Sequence, residues 1–243
     1  MSLSLKGKTA VVTGSSRGIG KAIAERLAAD GAAVVFNYTR NSKSAEDAVN
    51  AIVAKDGRAI AIQADVSKRS EVQHLFDEAE KAFGKIDIVV ANAGVYFNKP
   101  LSECTEEDYD SVFNINTKGV FFTLQEAVKR LRDGGRIIAT SSGGTHMHFP
   151  NHSLYLGSKG AIEQFVRALS GEVGARNITV NVLSPGFTDT DMLPKEFQEF
   201  ASSMSPFKRV GTVSDVADVA AFLASDQSRW ITGENVQAGG GVV

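Results

Sequence analysis

The sequence predicts an α/β fold in which a doubly wound parallel sheet of about seven strands is flanked by helices. Short runs rich in Val, Ile and Ala alternate with amphipathic segments along the 243 residues. The runs show little apolar–polar alternation, which is typical of strands buried on both faces beneath helices. No linker, low-complexity tract or internal repeat interrupts this pattern, so we expect a single domain over residues 1–243.

The individual elements follow from the same alternation. The predicted strands are the short apolar runs at Thr9–Thr13, Ala33–Tyr38, Ala59–Gln63, Ile86–Val90, Arg136–Ser141, Thr179–Leu183 and Asn235–Gln237. The predicted helices fill the gaps at Gly18–Asp30, Ser44–Asp56, Lys68–Phe83, Glu106–Arg132, Leu154–Ala175 and Ser214–Ala224. A strand–helix alternation with short links predicts parallel pairing, because each helix carries the chain back to the start of the next strand.

The alternation breaks between Thr188 and Arg209. This segment is too apolar for an idle surface loop, with Met192, Leu193, Phe197, Phe200, Met204 and Phe207. We interpret residues 188–209 as a short helical flap that covers a ligand site. Ordinary packing or a subunit contact is the alternative interpretation.

Composition excludes several classes of protein. Lys+Arg number 26 and Asp+Glu 28, without the basic excess of a typical nucleic-acid binder. The one cysteine, Cys104, excludes an internal disulfide and a multi-cysteine zinc site. No apolar run reaches the roughly 18 residues of a membrane span, and the first residues lack a signal-peptide pattern. We therefore expect a cytoplasmic protein without a nucleic-acid or membrane partner.

A glycine-rich strand–turn–helix, T-G-S-S-R-G-I-G, predicts a dinucleotide site. Gly14 permits the tight turn, Gly18 lets the backbone approach a pyrophosphate, and Gly20 allows close helix–strand packing. The N-terminus of the helix offers free N–H groups and partial positive charge to the phosphates. The spacing is G-x-x-x-G-x-G, and a glycine turn without a ligand is the alternative.

The end of the second strand indicates which dinucleotide binds. NAD-binding folds usually place an acid there for the ribose 2′-OH, whereas this strand ends with Tyr38, Thr39 and Arg40. Arg17 adds a second cation inside the glycine loop. Two guanidinium groups suit a 2′-phosphate, so NADP(H) is favoured over NAD(H). The alternative is that both arginines are solvated surface cations.

Three further strand ends are expected to contact the cofactor. Asp65 ends the third strand, where its carboxylate could accept a hydrogen bond from the adenine amino group. The small residues Asn92-Ala93-Gly94 follow the fourth strand and leave room for a ligand against the backbone. Pro185 and Gly186 follow the sixth strand, near the expected nicotinamide position.

Tyr155 and Lys159 are four residues apart and therefore share a helix face, and Ser142 lies thirteen residues upstream. A phenol has an ordinary pKa near 10, and a cation about 4 Å away lowers it. The pair is thus a candidate acid/base unit. A chance pairing on a helix is the alternative for the Tyr-Lys spacing alone.

Over essentially all 243 residues the chain resembles the short-chain dehydrogenase/reductase family. The resemblance rests on T-G-S-S-R-G-I-G, A-N-A-G, N-I-N-T-K-G, Ser142, Y-L-G-S-K and S-P-G-F-T-D-T. It implies a Rossmann fold, Tyr155 as general acid/base, Ser142 on the substrate oxygen, and Lys159 on the nicotinamide ribose. Asn116 would support a proton-relay water, and is preferred to Asn114 because it fits the family's N-x-x-G pattern with Gly119.

The resemblance also implies a set of cofactor contacts. They match the family's motif positions at Gly14, Ser16, Arg17, Ile19, Asp65, Val66, Asn92, Gly94, Pro185, Gly186 and Thr188. Ala91 stands where many members carry a second Asn, a departure that we expect to be harmless. Family members commonly form tetramers, so a homotetramer or homodimer is expected.

The substrate is expected to be an apolar or aromatic carbonyl compound or alcohol. Residues 143–154, Tyr96, Phe97 and the flap should line its site, and they are rich in aromatic rings and sulfur. His146, His148 and His152 fall in this segment, but no supporting carboxylate is evident, so no metal is expected.

Two subfamilies and one other class of protein remain open. The C-terminal A-S-D-Q-S-R-W-I-T-G-E-N favours 3-oxoacyl-carrier-protein reductases, for which Arg130, Arg132, Arg136 and Arg176 could form a landing patch. N-Y-T-R-N-S-K-S-A-E and Y-L-G-S-K-G-A-I-E favour polyhydroxynaphthalene-reductase-like or sugar-dehydrogenase-like members. A redox sensor that binds NADP without turnover is the non-enzymatic alternative.

Overall fold

The computed structural model describes residues 5–242, and over this range the chain forms one parallel seven-stranded sheet in the order β3-β2-β1-β4-β5-β6-β7. The strands are β1 Thr9–Val12, β2 Ala33–Tyr38, β3 Arg58–Gln63, β4 Ile86–Ala91, β5 Leu131–Thr140, β6 Thr179–Pro185 and β7 Asn235–Ala238. The predicted doubly wound α/β fold is thereby confirmed. The outer limits of the predicted domain, residues 1 and 243, lie outside the described residues.

Helices connect successive strands and cover both faces of the sheet. Their bounds are α1 Gly18–Ala29, α2 Ser42–Val53, α3 Arg69–Phe83, α4 Glu106–Phe113, α5 Val120–Arg130, α6 Ser153–Val173, α7 Gln198–Met204 and α8 Val213–Ala224. Within residues 5–242, none of these helices combines the length and apolar character needed to cross a membrane.

The sheet separates two apolar cores. One face packs against α3, α5 and α6 through residues such as Phe76, Leu124 and Ile162. The other packs against α1, α2 and α8 through residues such as Leu27 and Val216. Because β1, β2 and β4 are buried on both sides, their sequences are largely apolar runs, whereas the equally buried β6 includes the polar residues Thr179, Asn181 and Ser184.

The single helix predicted over Glu106–Arg132 is wrong in two respects. A π-helical segment, Asn114–Gly119, separates α4 from α5, and α5 ends at Arg130. Strand β5 begins at Leu131, five residues before the predicted Arg136, and its register against β4 shifts between Ile86 and Ile88. Periodicity misses both features, because a π segment adds a residue to one turn without changing the local composition.

The strand order reverses beside β1, which pairs with β2 on one side and β4 on the other. The helices that follow β1 and β4 therefore leave the sheet on opposite faces, which opens a crevice at the carboxyl ends of these strands. In open α/β sheets this is where ligands bind.

Replacing Phe76 by Ala tests the first core. Phe76 lies on the buried face of α3 and is fully enclosed, so removal of its ring leaves a cavity and should lower the free energy of unfolding by about 3–5 kcal/mol. The matched control is Phe207→Ala, because Phe207 is 72% exposed and its loss should change stability by less than about 0.5 kcal/mol. Urea unfolding followed by circular dichroism measures both, and equal losses would contradict this assignment of the core.

Candidate active site

A cavity of about 910 Å³ opens at the carboxyl ends of the strands. Every residue predicted to contact the cofactor lines it, and so do Ser142, Tyr155 and Lys159. Asn116 is the exception among the predicted catalytic residues, since it is fully buried behind the cavity wall. The structure therefore gathers the two halves of the predicted site around one space.

The glycine turn after β1 is as tight as the sequence predicts. Gly14 has a φ of +62°, and a Cβ atom there would lie 2.7 Å from Ala93 Cα. A Cβ at Gly20 would lie 2.5 Å from the Gly14 carbonyl oxygen, which explains the close packing of α1 on β1. Gly18 has a φ of +56° and begins α1, whose first turn carries no acidic residue. The helix N-terminus thus faces the cavity with its positive dipole end uncompensated.

Three polar side chains hold this turn. Asn37 and Thr13 were not predicted as site residues, and Asn92 was predicted to contact the cofactor. Asn37, buried in β2, accepts a hydrogen bond at Oδ1 from Gly14 N at 3.0 Å. Thr13 Oγ1 accepts from the backbone N–H groups of Asn92 and Ala93 at 3.0 and 3.1 Å. Asn92 Nδ2 donates to the carbonyls of Thr13 and Gly14, so its amide supports the turn. The sequence contained one signal for Asn37, because it is a polar residue inside the apolar run A-V-V-F-N-Y.

Two arginines line the cavity, Arg40 just after β2 and Arg17 in the glycine loop. Arg40 is exposed and makes no ion pair within residues 5–242, whereas Arg17 Nη1 lies 3.3 Å from Asp191 Oδ2 of the segment predicted as a flap. Both partners of that pair are largely exposed, so the pair contributes little to stability and leaves Arg17 available. Asn41, which sequence reasoning missed, also lines the cavity and caps α2 at Ser44 N.

Asp65 lies at the cavity wall with part of its carboxylate already used. Its Oδ1 accepts hydrogen bonds from Ser67 N at 3.0 Å and Ser67 Oγ at 2.7 Å. Its backbone N–H donates to Glu71 Oε2 at 2.7 Å. These bonds fix the loop after β3. Oδ2 accepts no hydrogen bond from residues 5–242 and has only the exposed Lys68 Nζ beside it at 4.0 Å, so it can still accept from a ligand amino group.

Lys159 is the most constrained group of the site. It is 4% exposed, and its Nζ donates to the Thr140 carbonyl oxygen at 3.0 Å and lies 6.0 Å from the centre of the Tyr155 ring. Burial lowers the pKa of Lys159 to about 8, because the charged form loses hydration. A Cβ at Gly94 would come within 3.2 Å of this Nζ, so glycine at this position avoids a tight contact with the ammonium group.

The pKa of Tyr155 moves in the direction opposite to the expectation from the sequence. Burial raises it, and this outweighs the lowering by a hydrogen bond with Ser142, while Tyr96 raises it further. Lys159 lies beside the ring but does not reverse the direction. The protein's own groups therefore favour the protonated phenol.

Ser142 follows β5 and begins a short 3₁₀ turn, Gly143–His146, accepting a hydrogen bond from Gly144 N at 3.2 Å. The turn is fixed from behind by Glu163 of α6, whose Oε1 accepts from Ser141 Oγ at 2.9 Å and from Thr145 Oγ1 at 2.7 Å. This carboxylate, which the sequence did not single out, ties the serine loop to the helix that carries Tyr155.

Asn116 joins three parts of the site from within the π-helical segment. Its Oδ1 accepts from Val95 N at 2.7 Å, and its Nδ2 donates to Val95 O at 2.9 Å and to Ser158 Oγ at 3.0 Å. The side chain is thereby fully used in holding the loop after β4 against α6. A role in supporting a relay water remains a prediction, and only the backbone of Asn116 is left to fulfil it.

The predicted substrate wall is confirmed in part as a cavity lining. Tyr96, Met147, Phe149, His152, Phe187, Met192, Leu193 and Phe197 line the cavity. The following predicted members lie outside it: Phe97, His146, His148, Phe200, Met204 and Phe207. Alternate residues of the 143–154 segment point away, because it folds as a turn with His146 and His148 exposed. Within residues 5–242 no group of three His, Cys, Asp or Glu side chains is arranged to hold a metal ion.

Comparison with known sequences assigns the chain to a family. Residues 14–243 match the family profile described as enoyl-(acyl carrier protein) reductase. A short-chain dehydrogenase/reductase of Pestalotiopsis microspora is 46% identical, with 98% of this chain and 96% of that protein covered. A hydroxynaphthalene reductase-like protein of Metarhizium brunneum is 45% identical, with 99% and 96% covered.

Solved structures agree with these relatives. A dehydrogenase/reductase from Sinorhizobium meliloti superposes with a TM-score of 0.96 at 39% identity, covering 99% of this chain and 97% of the other. A short-chain dehydrogenase from Burkholderia cenocepacia in complex with NADP gives 0.94 at 40% identity, with 98% of both chains covered. The landomycin C-6 ketoreductase LanV with bound NADP and rabelomycin gives 0.91 at 40% identity, with 98% and 97% covered. The chain thus belongs to the short-chain dehydrogenase/reductase family, oxidoreductases that act on CH–OH and C=O groups.

Proposed function

We propose that this protein is an NADP(H)-dependent oxidoreductase that transfers a hydride between the nicotinamide and a carbonyl compound or secondary alcohol, with Tyr155 as general acid/base. One observation carries the proposal: Ser142, Tyr155 and Lys159 line the same cavity as the glycine turn and the two arginines at its mouth. A proton donor and a dinucleotide cradle around one space are what hydride transfer to a carbonyl requires.

The residues of the cavity fit a nicotinamide dinucleotide. The N-terminus of α1 at Gly18 would hold the pyrophosphate, because it lines the cavity and its first turn carries no acidic residue. Gly14, whose N–H is already bonded to Asn37 Oδ1, would leave room for the pyrophosphate through its missing Cβ. Asp65 Oδ2 would accept from the adenine amino group, and Lys159 would hold the nicotinamide ribose. Once bound, the nicotinamide supplies or accepts the hydride. The other steps fall to side chains of this chain.

Proton transfer and charge stabilisation are assigned to three side chains. Tyr155, whose phenol the protein keeps protonated, gives its proton to the substrate oxygen during carbonyl reduction and takes one back during alcohol oxidation. Ser142 donates a hydrogen bond to the oxygen on which negative charge grows. Lys159 provides a positive charge beside the phenol that favours its ionised form.

NADP(H) is preferred to NAD(H) in this proposal. No carboxylate ends β2, and Arg40 and Arg17 line the cavity, where their guanidinium groups would suit a 2′-phosphate. The structures from Burkholderia cenocepacia and of LanV, at 40% identity, contain NADP. Their cofactor supports the same choice for this chain.

The substrate is proposed to be an apolar or aromatic carbonyl compound or the corresponding alcohol. Phe149, Phe187 and Met147 give the cavity apolar walls. LanV holds rabelomycin, and a relative at 45% identity is named hydroxynaphthalene reductase-like, which supports an aromatic substrate. We further propose that residues 188–209 form the flap over this substrate, because Met192, Leu193 and Phe197 line its outer side.

A carrier-protein-bound substrate has less support. The four arginines that could form an acidic partner's landing patch are each engaged: Arg130 with Asp77, Glu80 and Glu126, Arg132 with Asp87, Arg136 with Asp226, and Arg176 with Asp133. A paired cation offers little net charge to an incoming acidic surface. The intact Ser142, Tyr155 and Lys159 set likewise argues against a sensor without turnover.

The expected homotetramer or homodimer remains a prediction. The sequence offers four apolar residues for a buried helix face: Phe113, Val120, Phe121 and Leu124. Val120 and Leu124 are packed in the core, and Phe113 is half-buried and stacked on Tyr109. Phe121 is 44% exposed, so part of its ring is accessible to a second subunit.

Removal of the Tyr155 hydroxyl tests the acid/base assignment. Tyr155→Phe should lower kcat for ketone reduction by about 100-fold or more, because the proton donor is lost, while the Kd for NADPH stays within about twofold. The matched control is Tyr109→Phe, since Tyr109 is an exposed residue of α4 outside the cavity. NADPH oxidation at 340 nm with a panel of ketones and quinones gives the rates, and fluorescence titration gives the Kd. Near-normal turnover in Tyr155→Phe would refute the assignment, and tight NADPH binding without turnover in the wild type would favour the sensor.

Truncation of the mouth arginines tests the cofactor preference. Arg40→Ala combined with Arg17→Ala should weaken NADPH binding by at least about tenfold and leave NADH binding nearly unchanged, because only NADPH carries the 2′-phosphate. Arg167→Ala serves as control, because Arg167 is exposed on α6 away from the cavity. Titration with both dinucleotides measures the ratio of the two Kd values. Equal weakening of NADPH and NADH would assign the arginines to the shared pyrophosphate.

The lowered pKa of Lys159 predicts the pH dependence of reduction. The ammonium is charged below pH about 8 and loses its charge as the pH rises through that value, so kcat/KM should fall about tenfold per unit above it. The pKa of Tyr155 is raised, so ionisation of its phenol produces a separate fall at higher pH. Lys159→Arg keeps a charge and should move the first fall upward. A rate that stays constant from pH 7 to 9.5 in the wild type would contradict this prediction.

A further inference from the structure

Tyr96 and His152 form a hydrogen-bonded pair in the wall of the cavity, and none of the steps above uses it. The Tyr96 hydroxyl lies 2.8 Å from His152 Nε2, and both residues line the cavity. His152 is 5% exposed, so its ring nitrogens depend on protein partners for hydrogen bonds. The proton positions in this pair therefore determine whether Tyr96 presents a hydrogen-bond donor or an acceptor to a substrate.

The second ring nitrogen fixes these positions. His152 Nδ1 lies 2.6 Å from the Pro150 carbonyl oxygen, which can only accept a hydrogen bond. Nδ1 must therefore carry the proton, and in the neutral imidazole Nε2 is an acceptor. The Tyr96 hydroxyl, at 2.8 Å, is the principal donor to this lone pair, and Asn98 Nδ2, a group that can only donate, approaches the same nitrogen at 3.3 Å.

The Tyr96 oxygen is consequently left as an acceptor. Its single proton is directed to His152, so only lone pairs remain for other partners. Asn98 Nδ2, at 3.4 Å, approaches one of them from the exposed side. The remaining lone pair is available to a donor inside the cavity, and an acceptor there would be repelled.

The pair stands beside the reacting position. The rings of Tyr96 and Tyr155 are in edge-to-face contact, with centroids 5.5 Å apart. Phe149 packs edge-on against His152 at 4.8 Å and lies 5.9 Å from Phe187, which continues the aromatic wall away from the pair. A planar substrate whose carbonyl reaches Tyr155 would therefore pass its neighbouring ring substituents along Tyr96.

We propose that Tyr96 and His152 together determine substrate specificity, selecting aromatic ketones that carry a hydroxyl group near the carbonyl through a hydrogen bond from that hydroxyl to the Tyr96 oxygen. This rests on the proposed function only in that the cavity takes a carbonyl compound. His152 acts as a positioning residue, because it holds the Tyr96 proton away from the cavity. Ketones with a methoxy group in place of the hydroxyl have no proton to donate and are disfavoured.

A binding measurement that needs no turnover tests the proposal. Protein mixed with NADP⁺, which cannot reduce a ketone, is titrated calorimetrically with 1-tetralone, its ring-hydroxylated isomers and their methyl ethers. For the wild type, the tightest hydroxylated isomer should bind at least about fivefold more tightly than either 1-tetralone or its own methyl ether. A wild type without this preference overturns the proposal.

Two variants then locate the preference. Tyr96→Phe keeps the ring and should reduce the ratio of Kd values to about one. His152→Phe should reduce the ratio as well, because the Tyr96 proton is freed to turn into the cavity. Tyr109→Phe is the matched control and should keep the wild-type ratio. An unchanged ratio of Kd values in either Tyr96→Phe or His152→Phe overturns the assignment to the pair. Failure of the proposed function gives a different result, in which the wild type binds the ketones but does not oxidise NADPH.

Discussion

The burial of one ammonium group at the carboxyl edge of the sheet is the constraint around which the site is organised. Lys159 is almost fully enclosed and its Nζ donates to the Thr140 carbonyl at the end of β5. Enclosure removes hydration from the ammonium and makes its charge costly. For this reason the pKa of Lys159 is lowered. The absence of a Cβ at Gly94 relieves crowding around the ammonium, because a Cβ there would lie 3.2 Å from both Lys159 Nζ and Asn116 Oδ1. The A-N-A-G motif after β4 is thus a packing requirement of the lysine as well as a cofactor surface.

The π-helical segment between α4 and α5 serves the same constraint. It buries Asn116 completely, and the Asn116 amide clamps Val95 on one side and Ser158 on the other. Ser158 precedes Lys159, so the clamp holds the helix turn from which the ammonium projects. Gly119 closes the segment, where a Cβ would lie 2.7 Å from Val66 Cγ2. An extra residue in one turn is therefore retained where it fixes a charged group, in keeping with the frequent location of π segments at functional sites.

The fold could be predicted from the sequence because its signal is redundant: seven buried runs and their intervening helices each indicate a parallel sheet. The cofactor half of the site was equally accessible, since tight turns at Gly14 and Gly20 have a steric signature in the residue type itself. The π segment, the early start of β5 and the Tyr96–His152 pair were not predictable. They depend on register and on side-chain directions across loops, which no local pattern encodes. The same limit explains why the aromatic segment before Tyr155 was assigned to the cavity as a whole when only alternate residues face it.

The direction of the Tyr155 shift connects these features to the chemistry. Its pKa is raised by burial and by Tyr96, and the Ser142 hydrogen bond and the neighbouring lysine do not reverse this. The protein alone therefore holds a phenol that is ready to give a proton, which is the state needed at the start of carbonyl reduction. Alcohol oxidation needs the phenolate, and lowering of the pKa then requires the positive charge of Lys159 to be supplemented by that of an oxidised nicotinamide. Because Tyr96 adds to the raised pKa and also shapes the wall, the residue proposed to select the substrate also biases the acid/base group toward its protonated form.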